Sequence, residues 1–201
     1  MKITVEEYNN DWPNKFSEEQ LAINNALLNF SPTIEHIGST SVVGLGAKPT
    51  IDILVGLKDK SHLDEVINPM INCGYTYFKL YEPSWPSRRL FVKLTPLKNL
   101  VPPKIIGIGE EYIGGKDFKS LANIHIIVKD TYDWTRHIAF RDFLNTYPEI
   151  KDKYYKLKKN LSEQEFKHQF EYSAAKDSFI KETEKLALTW FHKQSCKNNS
   201  H

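Results

Sequence analysis

The stretch Ile34–Leu57, IEHIGSTSVVGLGAKPTIDILVGL, decides how the rest of this chain is read. Two short β-rich runs, TIEHIG and TIDILVGL, flank a segment of glycines and hydroxyls. Period-two alternation puts Ile34, His36 and Gly38 on one face of the first run, and Glu35 and Ile37 on the other. In the second run Thr50, Asp52 and Leu54 share a face opposite Ile51, Ile53 and Val55. An aspartate in mid-strand is disfavoured unless something uses it. It is either the solvent face of a half-covered sheet or a site.

Working outward, LANIHIIVK reads as a further strand, with Asn123 and His125 on one face and Ile124, Ile126 and Val128 on the other. YTYFKLY and RRLFVKL read as two strands around the turn EPSWPS, and KITVEEY as a short first strand. A helix is expected from NNDWPNKF to Phe30, with Asp11 as N-cap and Pro13 in the first turn. A second, SHLDEVINPMINCGY, is expected to stop at Gly74. Thr95–Lys119 reads as irregular, a loop or lid. After Asp130 the pattern is helical, with a break at Pro148. The expected class is α/β (α+β): an α/β module with a C-terminal helical cap. The expected division is 1–130 for the α/β module, 131–192 for the cap and 193–201 for a disordered tail.

A chain of 201 residues is long enough to bury a real core. A formal charge of +2 argues for neither a nucleic-acid nor a membrane partner. The lysines of KDKYYKLKKN, interrupted by Asp152 and two tyrosines, read as a solvated helix face. No apolar run approaches the roughly 20 residues of a membrane helix, and MKITVEEYNN lacks the apolar stretch of a signal peptide. Cys73 and Cys196 have no metal-ligand spacing and suit a reducing compartment. The expected location is cytoplasmic.

Gly38 and Ser39 end a strand where a helix could begin. Backbone N–H groups and the hydroxyls of Ser39, Thr40 and Ser41 can hold phosphate oxygens there, with Lys48 adding charge; simple N-capping is the plainer reading. Neither a P-loop nor a Rossmann fingerprint is present. Arg88 and Arg89 face opposite ways on a strand, and Lys93 shares the face of Arg89, with Phe91 between them. One arginine could grip a phosphate or carboxylate bidentately, or these are surface charges on an edge strand.

The block EHIGSTSVVGLGAKPTIDI resembles the signature of the GrpB family, a branch of the nucleotidyltransferase superfamily. The resemblance continues through NIHIIV, HIAFRDFLNTYPEIKDKYYKLKKNL and EYSAAKDSFIKETEKLALTW, and Trp12, Pro13 and Phe16 match the opening pattern; Val43 stands where proline is usual. It implies a nucleotidyltransferase-like mixed β-sheet with packed helices, whose Gly38–Ser39 turn grips phosphates. It also implies an acidic strand on which Asp52 anchors divalent metal, Mg or Mn, for two-metal nucleotidyl transfer. The position two residues after Asp52 is Leu54, and the later strand offers Asn123 and His125 rather than a third carboxylate. Asp52 with His36 and His125 would instead suit Zn or Mn. Arg89, Lys93 and Lys48 would neutralise phosphate. Arg141, in the Phe-Arg-Asp segment, would reach the pocket or form an interdomain ion pair. The resemblance thus implies a protein that binds a nucleotide or phosphorylated small molecule. Either it is a nucleotidyltransferase, or a non-catalytic binding module on the same fold, or a metal-dependent enzyme using Asp52 with the histidines.

Overall fold

The computed structural model describes residues 3–166 and 169–198. These fall into two compact units. The first comprises Met1–Asn9, Ile37–Pro49 and Thr135–His201; the second comprises Asn10–His36 and Thr50–Trp134. The division thus runs close to residue 130 on one side, but it is not end-to-end, because the segment 37–49 groups with the C-terminal helices.

The second unit is built on a mixed six-stranded sheet. Its strands are β1 (Thr33–Ile37), β2 (Ile51–Leu57), β3 (Thr76–Phe78), β4 (Arg89–Pro96), β5 (Ile105–Ile106) and β6 (Phe118–Val128). Their order is β1-β2-β6-β4-β3-β5. β2 and β6 are parallel, β4 is antiparallel to both β6 and β3, and β3 runs parallel to β5. This is the mixed sheet that the family resemblance implies. The β6 strand begins three residues before the LANIHIIVK run, and the irregular stretch contributes β5.

One face of the sheet carries Ile51, Ile53 and Val55 of β2, Ala122, Ile124 and Ile126 of β6, and Arg89, Phe91 and Lys93 of β4. Helix α1 (Trp12–Ala26) packs there: Glu19 accepts a 2.5 Å ion pair from Lys93 and a 2.6 Å hydrogen bond from the Tyr75 hydroxyl. Asp11 occupies the N-cap position without a side-chain cap, and pairs instead with Lys15 at 3.3 Å. A 3₁₀ turn, Leu28–Phe30, ends the segment. The expected second helix is two: α2 (His62–Glu65) and α3 (Ile67–Asn72). Pro69 explains the restart, since a residue without an N–H is tolerated in a first helical turn and not further in. Gly74, at φ +91°, stops α3 as expected. Ile53, Phe91 and Ile124 are fully buried on this face; such side chains each contribute about 1.5–3 kcal/mol by leaving water.

The opposite face is divided. Over β4, β3 and β5, Phe78, Val92, Leu94 and Ile106 bury against Leu80, Tyr81, Tyr112 and Phe118. Tyr112 meets Phe78 edge-on at 4.8 Å. Part of the stretch read as a loop or lid is therefore a packed layer. The register shift between Lys93 and Leu94 leaves Leu121 as an extra residue in β6 and brings Ser120 opposite Leu94. Over β2 and the end of β6 this face carries Asp52, Asn123 and His125.

The first unit holds the C-terminal helices. Of helix α4 (Tyr132–Thr146), residues from Thr135 onward belong to it, together with α5 (Pro148–Ser162), α6 (Gln169–Ala175) and α7 (Asp177–Asn198). Pro148 is the first residue of α5, the break the sequence predicts. Tyr154 stacks on Phe179 at 5.1 Å, Phe143 meets Trp190 at 5.8 Å, and Arg136 pairs with Glu184 at 2.8 Å. Two expectations are corrected here. Among the described residues of the expected N-terminal strand, pairing is the isolated bridge of Glu6 with Ala47. Residues 193–198 are the last turns of α7 rather than a disordered tail, since the helix continues through them; 199–201 lie outside the described residues. Among the described residues no helix is long and apolar enough to cross a membrane. Both cysteines are exposed, and neither forms a disulfide.

Candidate functional site

In the second unit, parallel pairing of β2 with β6 sets Asp52 opposite Asn123 and Leu54 opposite His125. All four side chains issue from the face away from α1. The Asn123 amide donates to Asp52 Oδ1 at 2.8 Å. Leu54 is fully buried, while Asp52, Asn123 and His125 are half-buried. On the other side of β6, Leu90 of β4 stands opposite His125.

Arg88, the residue before β4, completes this cluster. Its Nη1 lies 3.4 Å from His125 Nδ1. A guanidinium has no acceptor, so Nδ1 accepts and the imidazole keeps its proton on Nε2. Arg88 also lies over the indole of Trp85, 5.5 Å from the ring centroid. The sequence noted that Arg88 and Arg89 diverge; the register decides that Arg88 belongs to the Asp52 face. That choice needed the pairing partner of β4.

Arg89 and Lys93 face α1 and α2. Arg89 is buried, bonds Asp64 through Nε at 2.9 Å and Nη2 at 2.7 Å, and lies 3.6 Å from Glu82. Lys93 holds Glu19. The structure does not bring these two cations to Asp52; they tie helices to the sheet. His36 likewise faces α1, stacked on Phe16 with ring centroids 4.7 Å apart and planes 5° apart. It does not join Asp52 and His125.

A two-metal centre does not fit this donor set. The position two after Asp52 is an aliphatic side chain without solvent access, and an amide rather than a carboxylate addresses Asp52 from β6. Magnesium requires oxygen donors and counter-charge, which one carboxylate supplies poorly. Among the described residues no three His, Cys, Asp or Glu side chains are grouped so as to hold a metal ion.

In the first unit, Gly38 adopts φ +70°, a backbone shape that favours glycine, and opens a single 3₁₀ turn, Ser39–Ser41. The Ser41 hydroxyl donates back to the Gly38 carbonyl at 2.7 Å, and Thr40 is buried at 1 % exposure. Ser39 is half-exposed. Lys48 is half-buried beside the Ala47 bridge. Arg141 Nε pairs with its neighbour Asp142 at 2.7 Å. Asn145, on the same helical face, accepts the Val43 N–H at 3.0 Å.

The sequence also missed what holds the segment after the turn. Lys151 donates to the Val43 carbonyl at 3.0 Å and Lys158 to the Gly46 carbonyl at 2.5 Å. Tyr155 donates to Glu7. Val42 and Leu45 bury against Leu144 and Tyr154. The lysine run of α5, read as a solvated face, thus turns two of its members inward, which no charge pattern distinguishes from solvated ones.

The sheet, the glycine-serine turn and the C-terminal helices are those of a known group. The family model described as GrpB protein matches residues 2–186. The chain belongs to the GrpB family. It is 32% identical to the conserved protein GrpB from Enterococcus faecalis, whose crystal structure superposes with a TM-score of 0.75 over 94% of this chain and 99% of that one. It is also 31% identical to UPF0157 protein BH1888 of Halalkalibacterium halodurans, over 92% of this chain and 82% of the relative. The glutamate-rich protein GrpB of Alkalihalophilus pseudofirmus is 26% identical over 90% and 93% of the two chains.

Proposed function

We propose that this chain binds a nucleotide or another phosphorylated small molecule at the sheet face around Asp52, Asn123, His125 and Arg88, as a binding module. The register carries this reading: Leu54 faces His125 where a second carboxylate would be needed, while donors and an acceptor remain side by side. Arg88 supplies a guanidinium for phosphate oxygens and His125 an Nε2–H, both strong choices for an anion. Asp52, held by Asn123, is the acceptor for a sugar hydroxyl. The family resemblance gives the Gly38–Ser39 turn a phosphate-holding role as well, and Ser39→Ala tests that part separately.

A second reading, nucleotidyl transfer, is favoured by one feature, the retained Asp52 carboxylate. A thermal-shift panel of nucleoside triphosphates with and without Mg²⁺ or Mn²⁺, on wild type, Arg88→Ala and Asp52→Asn, separates the two. The binding module predicts stabilisation that is independent of metal and lost in Arg88→Ala. Metal-dependent stabilisation lost in Asp52→Asn, with pyrophosphate released from a triphosphate, would establish the transferase instead. No response to any nucleotide sinks both.

A further inference from the structure

The connection from β3 to β4 presents a large aromatic side chain beside this cluster. Trp85 is 39% exposed. Its backbone is fixed by tight turns: the Trp85 N–H donates to the Tyr81 carbonyl at 2.9 Å, and the Arg88 N–H to the Trp85 carbonyl at 3.0 Å. Behind the indole stands Tyr81, with ring centroids 5.2 Å apart and planes tilted 37°. Tyr81 in turn stacks on buried Phe78 at 6.2 Å and 9°. The exposed ring is therefore the outer end of a column of three aromatics rooted in the packed layer under β3 and β4. A rigid, partly exposed aromatic next to a guanidinium is the pairing that recognises a planar ring carrying an anion.

We propose that Trp85 is the stacking platform for the base of a nucleotide whose phosphate is taken by Arg88. This rests on the nucleotide reading above and deepens it: the ligand has an aromatic base, and Trp85 recognises it. Two contacts link platform and polar cluster, Trp85 to Arg88 and Arg88 to His125. A single guanidinium thus stands between ring and imidazole, as a ligand with a base at one end and phosphate at the other requires. Stacking tolerates every base and favours the larger rings, so purine nucleotides bind more tightly than pyrimidine ones.

A plainer role is that Trp85 only orients Arg88 through the cation–π contact. Binding of ligands with and without a base tells the two apart. Calorimetric titration of wild type, Trp85→Ala and Trp85→Phe with ATP, UTP and inorganic triphosphate is the experiment, with circular dichroism confirming that the variants fold. Stacking predicts that Trp85→Ala weakens ATP by roughly tenfold or more, leaves inorganic triphosphate unchanged, and is rescued by Trp85→Phe. Equal weakening of ATP and triphosphate assigns Trp85 to positioning Arg88 and overturns the proposal. Unchanged ATP affinity in Trp85→Ala also overturns it while leaving the nucleotide reading standing. Failure of wild type to bind any of the three overturns both.

Discussion

Lys158 buries its ammonium against the carbonyl oxygen of Gly46, at 2.5 Å, from a side chain only 2% exposed. Its other neighbours are the Tyr154 ring, 4.6 Å away, and a second cation, Lys176. Loss of hydration, and then the charge of Lys176, push its pKa down from 10.5 to about 7. The Tyr154 ring works the other way and is the smaller effect. Between those two values the unfolded chain holds this proton more tightly than the folded chain does. Stability therefore rises with pH across that window, and the burial penalty is fully present below it. Against Lys158→Met, the urea midpoint of the wild type is expected to climb from pH 7 to pH 10. A difference between the two proteins that stays flat across this range would refute the buried titration.

Arg88 and Arg89 are adjacent in sequence and opposite in consequence. Arg89→Met removes a buried guanidinium from Asp64 and Glu82 and is expected to cost about 2 kcal/mol in urea unfolding. It should leave nucleotide or triphosphate affinity within twofold. Arg88→Ala is expected to do the reverse, with stability nearly unchanged and affinity lost. Loss of binding in folded Arg89→Met would show that the helix-covered face takes part.

Asn123→Asp tests the chemistry of the Asp52 pair. It sets a second carboxylate where an amide now donates at 2.8 Å. Two like charges at such range raise one carboxylate's pKa above its unfolded value. The variant is then expected to lose about 1–3 kcal/mol at pH 7 and to recover stability as pH falls through that raised value. Manganese at millimolar concentration should restore the variant at pH 7 and leave the wild type unmoved. An equal response of both proteins to manganese would mean that Asp52 already holds metal.

Gly46 has no room for a side chain. A Cβ there would lie 2.4 Å from the Tyr155 ring and 2.6 Å from the Glu6 carbonyl oxygen. Gly46→Ala is expected to destabilise by about 1–3 kcal/mol through overpacking, read from the urea midpoint. Because the Glu6–Ala47 bridge is adjacent, amide exchange at Glu6 and Ala47 should speed up in this variant. Wild-type exchange rates at both amides would count against the account.

The alternating runs made most of the fold legible. β1, β2 and β3 fall within runs read as strands, β4 and β6 each extend past one end of theirs, α1, α4 and α5 lie within helical patterns, and α7 begins in one. Period two shows which residues of one strand share a face, but not which face of the next strand they join. The sequence set Asp52 with His36 and His125; β2 and β6 pair directly and bring Asp52 and His125 to one face, with Asn123 opposite Asp52. His36 does not join them, because its partner is Phe16 on a helix, and the side on which a helix packs leaves no mark in strand periodicity. Arg88 could not be told from Arg89 as the neighbour of His125, because only the β4–β6 register separates the two. β5 is two residues long and pairs in parallel with β3, too short to give a period at all.

The unit made of residues 1–9, 37–49 and 135–201 also fixes an order of events during synthesis. Every residue of the sheet unit has been made once Trp134 is added, so that unit can close while the rest of the chain is still emerging. The segment after the glycine-serine turn cannot. Its carbonyls at Val43 and Gly46 await Lys151 and Lys158, so a chain that ended before α5 would carry every strand of the sheet and an unfastened loop.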